Sequence, residues 1–454
     1  MRSVFDKELL KVGFFGFGKS SLGVYEYLKR HCKTEITVRS DTRPHGELPP
    51  SSRLLYGNLA LTDIDEDILF LSPSVRRDRP ELTKALERGV ILSSDSELFF
   101  EYNENDVYLV TGSDGKSTTT YITAELLKNH YGKAVPAGNF GEALSPHIDD
   151  SPDTALVTEL SSFQLNYFIP KSQRALITNI TENHLNWHKS YEEYISAKKN
   201  ALRLTDGAIL SYDNPQTRKI AHELSSLYSV FSREKSEAEL KEEIKAEHYI
   251  TLRDGCISVS GEPILPISKI KARGRHNILN FMSAIALSYG KCDREYIENF
   301  AESFGGLVHR CETVGIYRGV RYVNSSIDSS PKRTVATLAT FSDKVIIILG
   351  GRGKGLDFHE LVPTLREKTK FIVLTGECGK EIKEILDTET RAGRFCAPYR
   401  YESDFYDALD LAIREASESD TVLLSPASTS YDCFKSFEER GDAFKRYIKK
   451  RNSK

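Results

Sequence analysis

The 454 residues carry 62 Lys plus Arg against 65 Asp plus Glu, a formal charge of -3, with 39% hydrophobic and 28% charged residues. This length and balance suit roughly two to four domains, each with its own core, and exclude the basic footprint of a nucleic-acid binder, so an anionic ligand must be met by local basic sites. Asp6, Lys7, Glu8 and Lys11 interrupt any signal-peptide core, no later apolar run reaches membrane-spanning length, and the seven cysteines show neither Cys-x-x-Cys pairing nor metal-ligand spacing; a cytoplasmic chain with reduced thiols and no membrane insertion is expected.

From Val12 to Val38 the pattern predicts strand, glycine turn, helix and strand, with the turn at Gly16-Phe17-Gly18-Lys19-Ser20-Ser21-Leu22-Gly23. This is a Rossmann-like opening, although the spacing to Gly23 departs from the dinucleotide Gly-x-Gly-x-x-Gly pattern. Ile68 to Leu71 reads as a short buried strand, and the polar stretch Glu101 to Asp106 as a linker that ends a first domain, residues 1–104.

A second strand–loop–helix unit starts at Val107-Tyr108-Leu109-Val110 and continues as a helix to about His130. Apolar runs at Ala155 to Leu160 and Ala175 to Ile180 extend a mostly parallel sheet. Between Tyr249 and Ile270 short alternating strands with turns at Asp254-Gly255 and Ser260-Gly261-Glu262-Pro263 predict a small antiparallel sheet, and a helix from Asn277 to Tyr289 closes the block, residues 105–306. Strand-like runs at Val320 to Asn324, Lys344 to Gly350, Phe371 to Thr375 and Thr421 to Ser425, with helical segments between them, make residues 307–454 a third α/β domain. The fold class is therefore α/β in three domains: Rossmann-like at the N-terminus, a P-loop ATPase-type centre, and Rossmann-like again at the C-terminus.

The sharpest motif is Gly112-Ser113-Asp114-Gly115-Lys116-Ser117, a short Gly-x-x-Gly-Lys-Ser variant of the nucleotide-binding loop set between a predicted strand and a predicted helix. There, backbone N–H groups and the helix N-terminus cradle phosphate oxygens, Lys116 meets the β/γ-phosphates and the Ser117 hydroxyl meets Mg²⁺. ATP chemistry follows as the default. Glu159 and His184 follow apolar strand runs in the same predicted domain and are candidate metal ligands.

These residues, together with Ala137-Gly138-Asn139-Phe140-Gly141, Ser196-Ala197-Lys198, Gly274-Arg275-His276-Asn277 and His309-Arg310, occur in the order and approximate spacing of the Mur ligases, which the chain resembles over nearly its whole length. Glu159-Leu160-Ser161-Ser162-Phe163-Gln164-Leu165, Leu349-Gly350-Gly351-x-Gly353-Lys354, Leu424-Ser425-Pro426-Ala427 and the stretch Phe434 to Gly441 resemble the D-glutamate-adding branch of that family. The resemblance implies a monomeric, ATP- and Mg²⁺-dependent ligase that joins D-glutamate to UDP-N-acetylmuramoyl-L-alanine through an acyl phosphate, in peptidoglycan precursor synthesis.

By the same resemblance, ATP lies on Gly112, Ser113, Asp114, Gly115, Lys116, Ser117 and Thr118, with Asn277 at adenine and Arg310 at the γ-phosphate. Lys116, His184 and Lys198 are the catalytic set. Ser117, Glu159, His184 and a carbamylated Lys198 hold metal. Gly18, Lys19, Ser20, Asp41, Thr42, Arg43 and Asn139 hold the UDP-sugar, and Lys354, Ser430 and Phe437 hold D-glutamate. The chain departs from the family's usual Asn-Asp-Ser-Lys-Ala-Thr-Asn at Asn324-Ser325-Ser326-Ile327-Asp328-Ser329-Ser330, which leaves Asp328 to take over part of the missing aspartate's role; Asn183 and Asn186 likewise stand where aspartates are common. The competing readings are a Mur-type ligase with another amino-acid acceptor, a nucleotide-binding relative without ligase activity, and a dinucleotide-dependent oxidoreductase resting on the first glycine turn.

Overall fold

The computed structural model describes residues 5–44, 48–185, 187–272, 274–353 and 356–452. Two compact units form, Met1–Lys271 with Arg275–Ser303, and Ala272–Gly274 with Phe304–Lys454. Among the described residues the first unit holds two sheets and the second holds one.

The first sheet contains β1 (Leu10–Phe15), β2 (Thr34–Ser40), β3 (Arg53–Tyr56), β4 (Ile68–Leu71) and β5 (Ile91–Ser93), all parallel, in the order β3-β2-β1-β4-β5. Every side chain of β4 is buried, as a central parallel strand covered on both faces requires. The helix Lys19–His31 buries Val24, Tyr27 and Leu28 against Leu10, Val12, Phe14 and Ile68. Strand order reverses between β1 and β4, so the loops that follow these two strands flank the crevice where such sheets bind ligands. Gly16 is at φ 83°, and a Cβ there would stand 2.4 Å from Ser72 Oγ, which brings the two loops into contact.

Gly23 has a different task from the third glycine of a dinucleotide fingerprint. A Cβ on it would lie 2.5 Å from Ala143 Cβ, so its absence lets the first helix close on the segment Ser145–Asp149 of the central region.

The second sheet contains β6 (Val107–Thr111), β7 (Lys133–Gly138), β8 (Thr154–Glu159), β9 (Lys171–Ile177), β10 (Leu204–Ser211), β11 (Ser229–Ser232), β12 (His248–Arg253), β13 (Cys256–Val259) and β14 (Glu262–Pro266). Their order is β14-β13-β12-β11-β10-β9-β6-β8-β7. The pairings from β7 to β12 are parallel, and β12-β13 and β13-β14 are antiparallel. The alternating strands expected between Tyr249 and Ile270 thus continue the edge of the main sheet. Both edge strands contain proline, Pro136 in β7 and Pro263 and Pro266 in β14. The helices Lys116–Tyr131 and Arg275–Ser288 lie along the sheet, the second with ten of its residues buried.

The apolar run Ala175 to Ile180 ends as strand at Ile177. Beyond it the Thr178 N–H still donates to the Thr111 carbonyl at 2.9 Å and its Oγ1 to the Asp114 carbonyl at 2.6 Å, while Ile180 stays in the core, 1% exposed.

The second unit contains β15 (Glu312–Tyr317), β16 (Val320–Asn324), β17 (Val345–Gly350), β18 (Thr369–Thr375), β19 (Tyr399–Tyr401) and β20 (Thr421–Leu424), in the order β15-β16-β20-β17-β18-β19. Only β15-β16 is antiparallel. Ile346 and Ile348 face one core with Phe405, Leu409 and Phe444; Ile347 and Leu349 face the other with Leu338 and Leu374. This alternation is the period-2 geometry of a strand buried on both sides.

No helix among the described residues is long and apolar enough to cross a membrane.

Candidate active site

The phosphate-type loop runs from the C-terminal end of β6 into the helix Lys116–Tyr131. Gly112 and Gly115 have φ of 145° and 80°, and a Cβ would stand 1.9 Å from Thr178 Oγ1 at the first and 2.6 Å from Asn280 Oδ1 at the second. Both positions therefore require glycine on backbone and on space. The loop is pinned from the strand beside it: the Ser113 N–H donates to the Asn179 carbonyl, the Asp114 N–H to Asn179 Oδ1, and Asn179 Nδ2 returns a bond to the Asp114 carbonyl. Ser113 Oγ bonds Tyr194 OH at 2.7 Å and the Thr181 carbonyl at 3.1 Å. The first-turn N–H groups of the helix that follows have no intrahelical acceptor by geometry, which is the ready anion site of a helix start. Lys116 Nζ donates to the Ser113 carbonyl at 2.8 Å, folded over the loop it would serve.

Behind the loop sits Lys198, 1% exposed. Its Nζ donates to the Gly112 carbonyl at 2.7 Å and lies 4.8 Å from the centre of the Tyr194 ring. Burial, with Lys116 nearby as a second contributor, holds its amine well below the ordinary lysine range against the pull of Glu159 and Asp114. An amine depressed in this way gives up its proton more readily than a solvated helix lysine would.

Glu159 ends β8, also 1% exposed. Asn139 Nδ2 donates to its Oε1 at 2.7 Å, while Oε2 is buried with no hydrogen-bond partner. A buried carboxylate oxygen without a donor is costly unless a cation completes it. Among the described residues no three His, Cys, Asp or Glu side chains gather as a ready-made metal cage. Glu159 Oε2 by itself is a hard oxygen donor of the kind a divalent cation would complete. His184 stands at φ 56° in the exposed loop after β9, its ring edge-on to Phe163 at 4.9 Å.

Asn277 is buried and accepts from Asn280 Nδ2 at 3.1 Å; Asn280 in turn faces Gly115. Asn139, expected at the UDP-sugar, is placed on Glu159. Lys19 donates to the carbonyls of Gly138 at 2.8 Å and Gly141 at 3.0 Å, so it joins the first sheet's glycine turn to the Asn139 segment. Asp41 is held by both terminal nitrogens of Arg79 at 3.0 Å, while Gly18, Thr42 and Arg43 are exposed and Ser20 is half-buried.

In the second unit Arg310 is exposed between His309 and Cys311, which have φ of 62° and 47°. Ser430 is buried, and Phe437 starts the last helix with its ring 6.1 Å from that of His309. Lys354 lies outside the described residues, as does Asn186. Asp328 does not turn outward as a substitute for the family's usual aspartate: it is 4% exposed, and its Oδ2 accepts from Ser425 Oγ at 2.7 Å. Burial raises its carboxyl above the usual range. Tyr194, which carries no sequence signal of its own, braces the loop together with Asn179; within the second unit Arg440, nearly fully buried, donates to Ser326, Ser428 and Thr429.

Residues 110–288 match the family model of the Mur ligase middle domain, and residues 309–428 match that of the Mur ligase glutamate ligase domain. The UDP-N-acetylmuramoylalanine–D-glutamate ligase of Acetivibrio thermocellus is 41% identical over 391 residues, covering 84% of this chain and 82% of that one. Its counterpart in Clostridium perfringens is 35% identical over 457 residues, covering 97% and 98%. Among solved structures, the UDP-N-acetylmuramate-alanine ligase of Thermotoga maritima has a TM-score of 0.59 at 19% identity, covering 98% of this chain and 99% of that one, a likeness of fold.

Proposed function

The chain belongs to the Mur ligase family, and on that premise we propose that it joins the amine of D-glutamate to the alanyl carboxylate of UDP-N-acetylmuramoyl-L-alanine, with ATP converted to ADP and phosphate. The observation that carries this reading is the glycine-pinned loop at Lys116 set beside a buried Glu159 with an unpaired Oε2 and a buried, deprotonation-prone Lys198. The relatives that match over most of the chain bear the name of this activity.

In the proposed reaction an alanyl carboxylate oxygen attacks the γ-phosphorus, the bond from that phosphorus to the ADP oxygen breaks, and an acyl phosphate forms. The amine of D-glutamate then attacks the acyl carbon, phosphate leaves with its oxygen, and the amine gives up a proton. Lys116 leaves the Ser113 carbonyl to meet the phosphate oxygens, and the loop N–H groups hold the charge as it spreads. Ser117, Glu159, His184 and the carbamate formed when neutral Lys198 takes up carbon dioxide would hold Mg²⁺. When bound, that ion supplies charge neutralisation at the phosphates. Residues 1–104 take the nucleotide sugar, residues 105–306 take ATP and residues 307–454 take D-glutamate through Lys354, Ser430 and Phe437, with Asn277 at adenine and Arg310 at the γ-phosphate. The enzyme works in this reading as a cytoplasmic monomer.

Phosphate release from ATP and Mg²⁺ with UDP-N-acetylmuramoyl-L-alanine tests the reading, with D-glutamate compared against L-glutamate, L-alanine and no amino acid. Release that requires both the nucleotide sugar and D-glutamate is expected. Release with another amino acid would reassign the acceptor, and none with any would overturn ligase activity.

A further inference from the structure

The loop Ser72–Arg79, which follows β4 in the first sheet, touches two places that the proposed reaction keeps separate. At one end it lines the crevice: Ser72 packs on Gly16, and Arg79 holds Asp41 while its guanidinium lies 5.2 Å from the centre of the Phe15 ring. In its middle it grips the loop that carries His184. Trp187 Nε1 donates to the Ser74 carbonyl at 2.7 Å. Arg76 Nη1 donates to the Trp187 carbonyl at 2.7 Å, its Nη2 to Glu193 Oε1 at 3.1 Å, and its guanidinium lies 4.8 Å from the centre of the Trp187 ring.

Trp187 is in turn tied to His184. The Trp187 and His188 N–H groups both donate to the His184 carbonyl, at 2.9 and 3.0 Å, and Phe163 packs its ring on Trp187 and on His184 at 4.4 and 4.9 Å. His184 stands at a positive φ without being glycine, a conformation that its surroundings help to impose. The imposed part comes through Trp187, and Trp187 is held from the first sheet.

We infer that Arg76 and Trp187 are positioning residues through which a nucleotide sugar in the crevice of the first sheet sets the placement of His184. A ligand that orders the loop after β4 orders Ser74 and Arg76, and these fix Trp187. The His184 loop is then completed only when the acyl donor is present, which ties phosphate transfer to the correct acceptor. This inference rests on the proposed reading, in which the first domain holds the nucleotide sugar and His184 belongs to the reaction centre.

Trp187 is the single tryptophan of the chain, so its emission reports on the surroundings of this one side chain, Arg76 and Ser74 together with Phe163, Tyr167 and His188. The experiment titrates the full-length enzyme with UDP-N-acetylmuramoyl-L-alanine, without ATP or D-glutamate, and follows tryptophan emission beside calorimetric binding. The emission is expected to shift in step with binding. Arg76→Lys keeps a charge but cannot bridge the Trp187 carbonyl and Glu193 together. It is expected to bind the sugar within about threefold of wild type, lose the emission shift and lower kcat about tenfold with little change in KM for ATP. Glu193→Gln, which keeps a neutral acceptor for Arg76, is expected to give the same pattern at smaller amplitude and serves if Arg76→Lys fails to fold. Binding without a change in emission would overturn the coupling alone, as would a wild-type kcat in both variants. An absence of binding would overturn the reading of the first domain and this inference with it.

Discussion

Lys198 Nζ donates to the Gly112 carbonyl at 2.7 Å, which places a buried amine directly behind the loop expected to hold phosphate. Because burial lowers the folded-state pKa below 10.5, the folded protein binds fewer protons than the unfolded chain between those two values. The sign follows: the stability tied to Lys198 is full above pH 10.5 and is lost as pH falls through the folded value. Lys198→Met removes this term. Thermal melts in carbon-dioxide-free buffer are expected to show the variant gaining on wild type as pH drops from 10.5 to 7, on top of a constant offset from the unpaired Gly112 carbonyl. A constant difference across that range would mean that the amine is not depressed. With ¹³C-bicarbonate, wild type is expected to give a carbamate carbon resonance that the variant lacks.

Glu159→Gln keeps an oxygen for Asn139 and removes the charge that Oε2 carries. Activity is expected to fall about 100-fold at saturating Mg²⁺. Melting in the absence of Mg²⁺ is expected to be unchanged or higher, since an unpaired buried carboxylate is relieved. A Mg²⁺ titration of phosphate release, run beside the melts, separates loss of cation binding from loss of fold.

Gly115→Ala must hold φ 80° and fit a methyl group 2.6 Å from Asn280 Oδ1. The backbone term alone costs about 1–2 kcal/mol. A lower denaturation midpoint and a loss of ATP binding by calorimetry are expected together. Asn280→Gly in the same background clears the space but not the backbone strain, so it should restore only part of the stability.

Asp328→Asn tests whether the altered Asn324–Ser330 segment uses its carboxylate. The folded-state pKa is raised by burial, so the stability tied to this group is full below 3.8 and lost as pH rises through the folded value. The variant keeps an acceptor for Ser425 Oγ and is expected to gain on wild type between pH 4 and pH 7, with activity within about twofold. A large loss of activity would assign the carboxylate a role that its contact with Ser425 does not suggest.

The parts of this protein legible in sequence are those where local chemistry and fold agree. The Gly112–Ser117 loop could be read because a strand, two obligatory glycines and a helix start follow one another in seven residues. The strand Ile68–Leu71 could be read because a strand buried on both faces is apolar at every position. Asp328 and Asn139 were not legible in the same way, since what each side chain meets is set by a residue far along the chain, Ser425 in one case and Glu159 in the other. Lys198 sits beside Lys199 in a helix, and only the packing beneath it decides that the first is buried and the second half-buried. The antiparallel pairing of β15 with β16 leaves no sequence signal because no residue of β15 is fully buried and the strand carries no continuous apolar run.

The prolines at both margins of the nine-stranded sheet have a consequence for life at high protein concentration. An outermost strand offers unpaired N–H groups to any other chain with a free edge, and proline has none to offer. Pro136 on one side, with Pro263 and Pro266 on the other, withdraws donors from the two rims of the largest β-structure in the molecule. Those rims are therefore poor templates for strand-by-strand aggregation, a safeguard for a long parallel sheet whose slow assembly leaves its margins open while the chain folds.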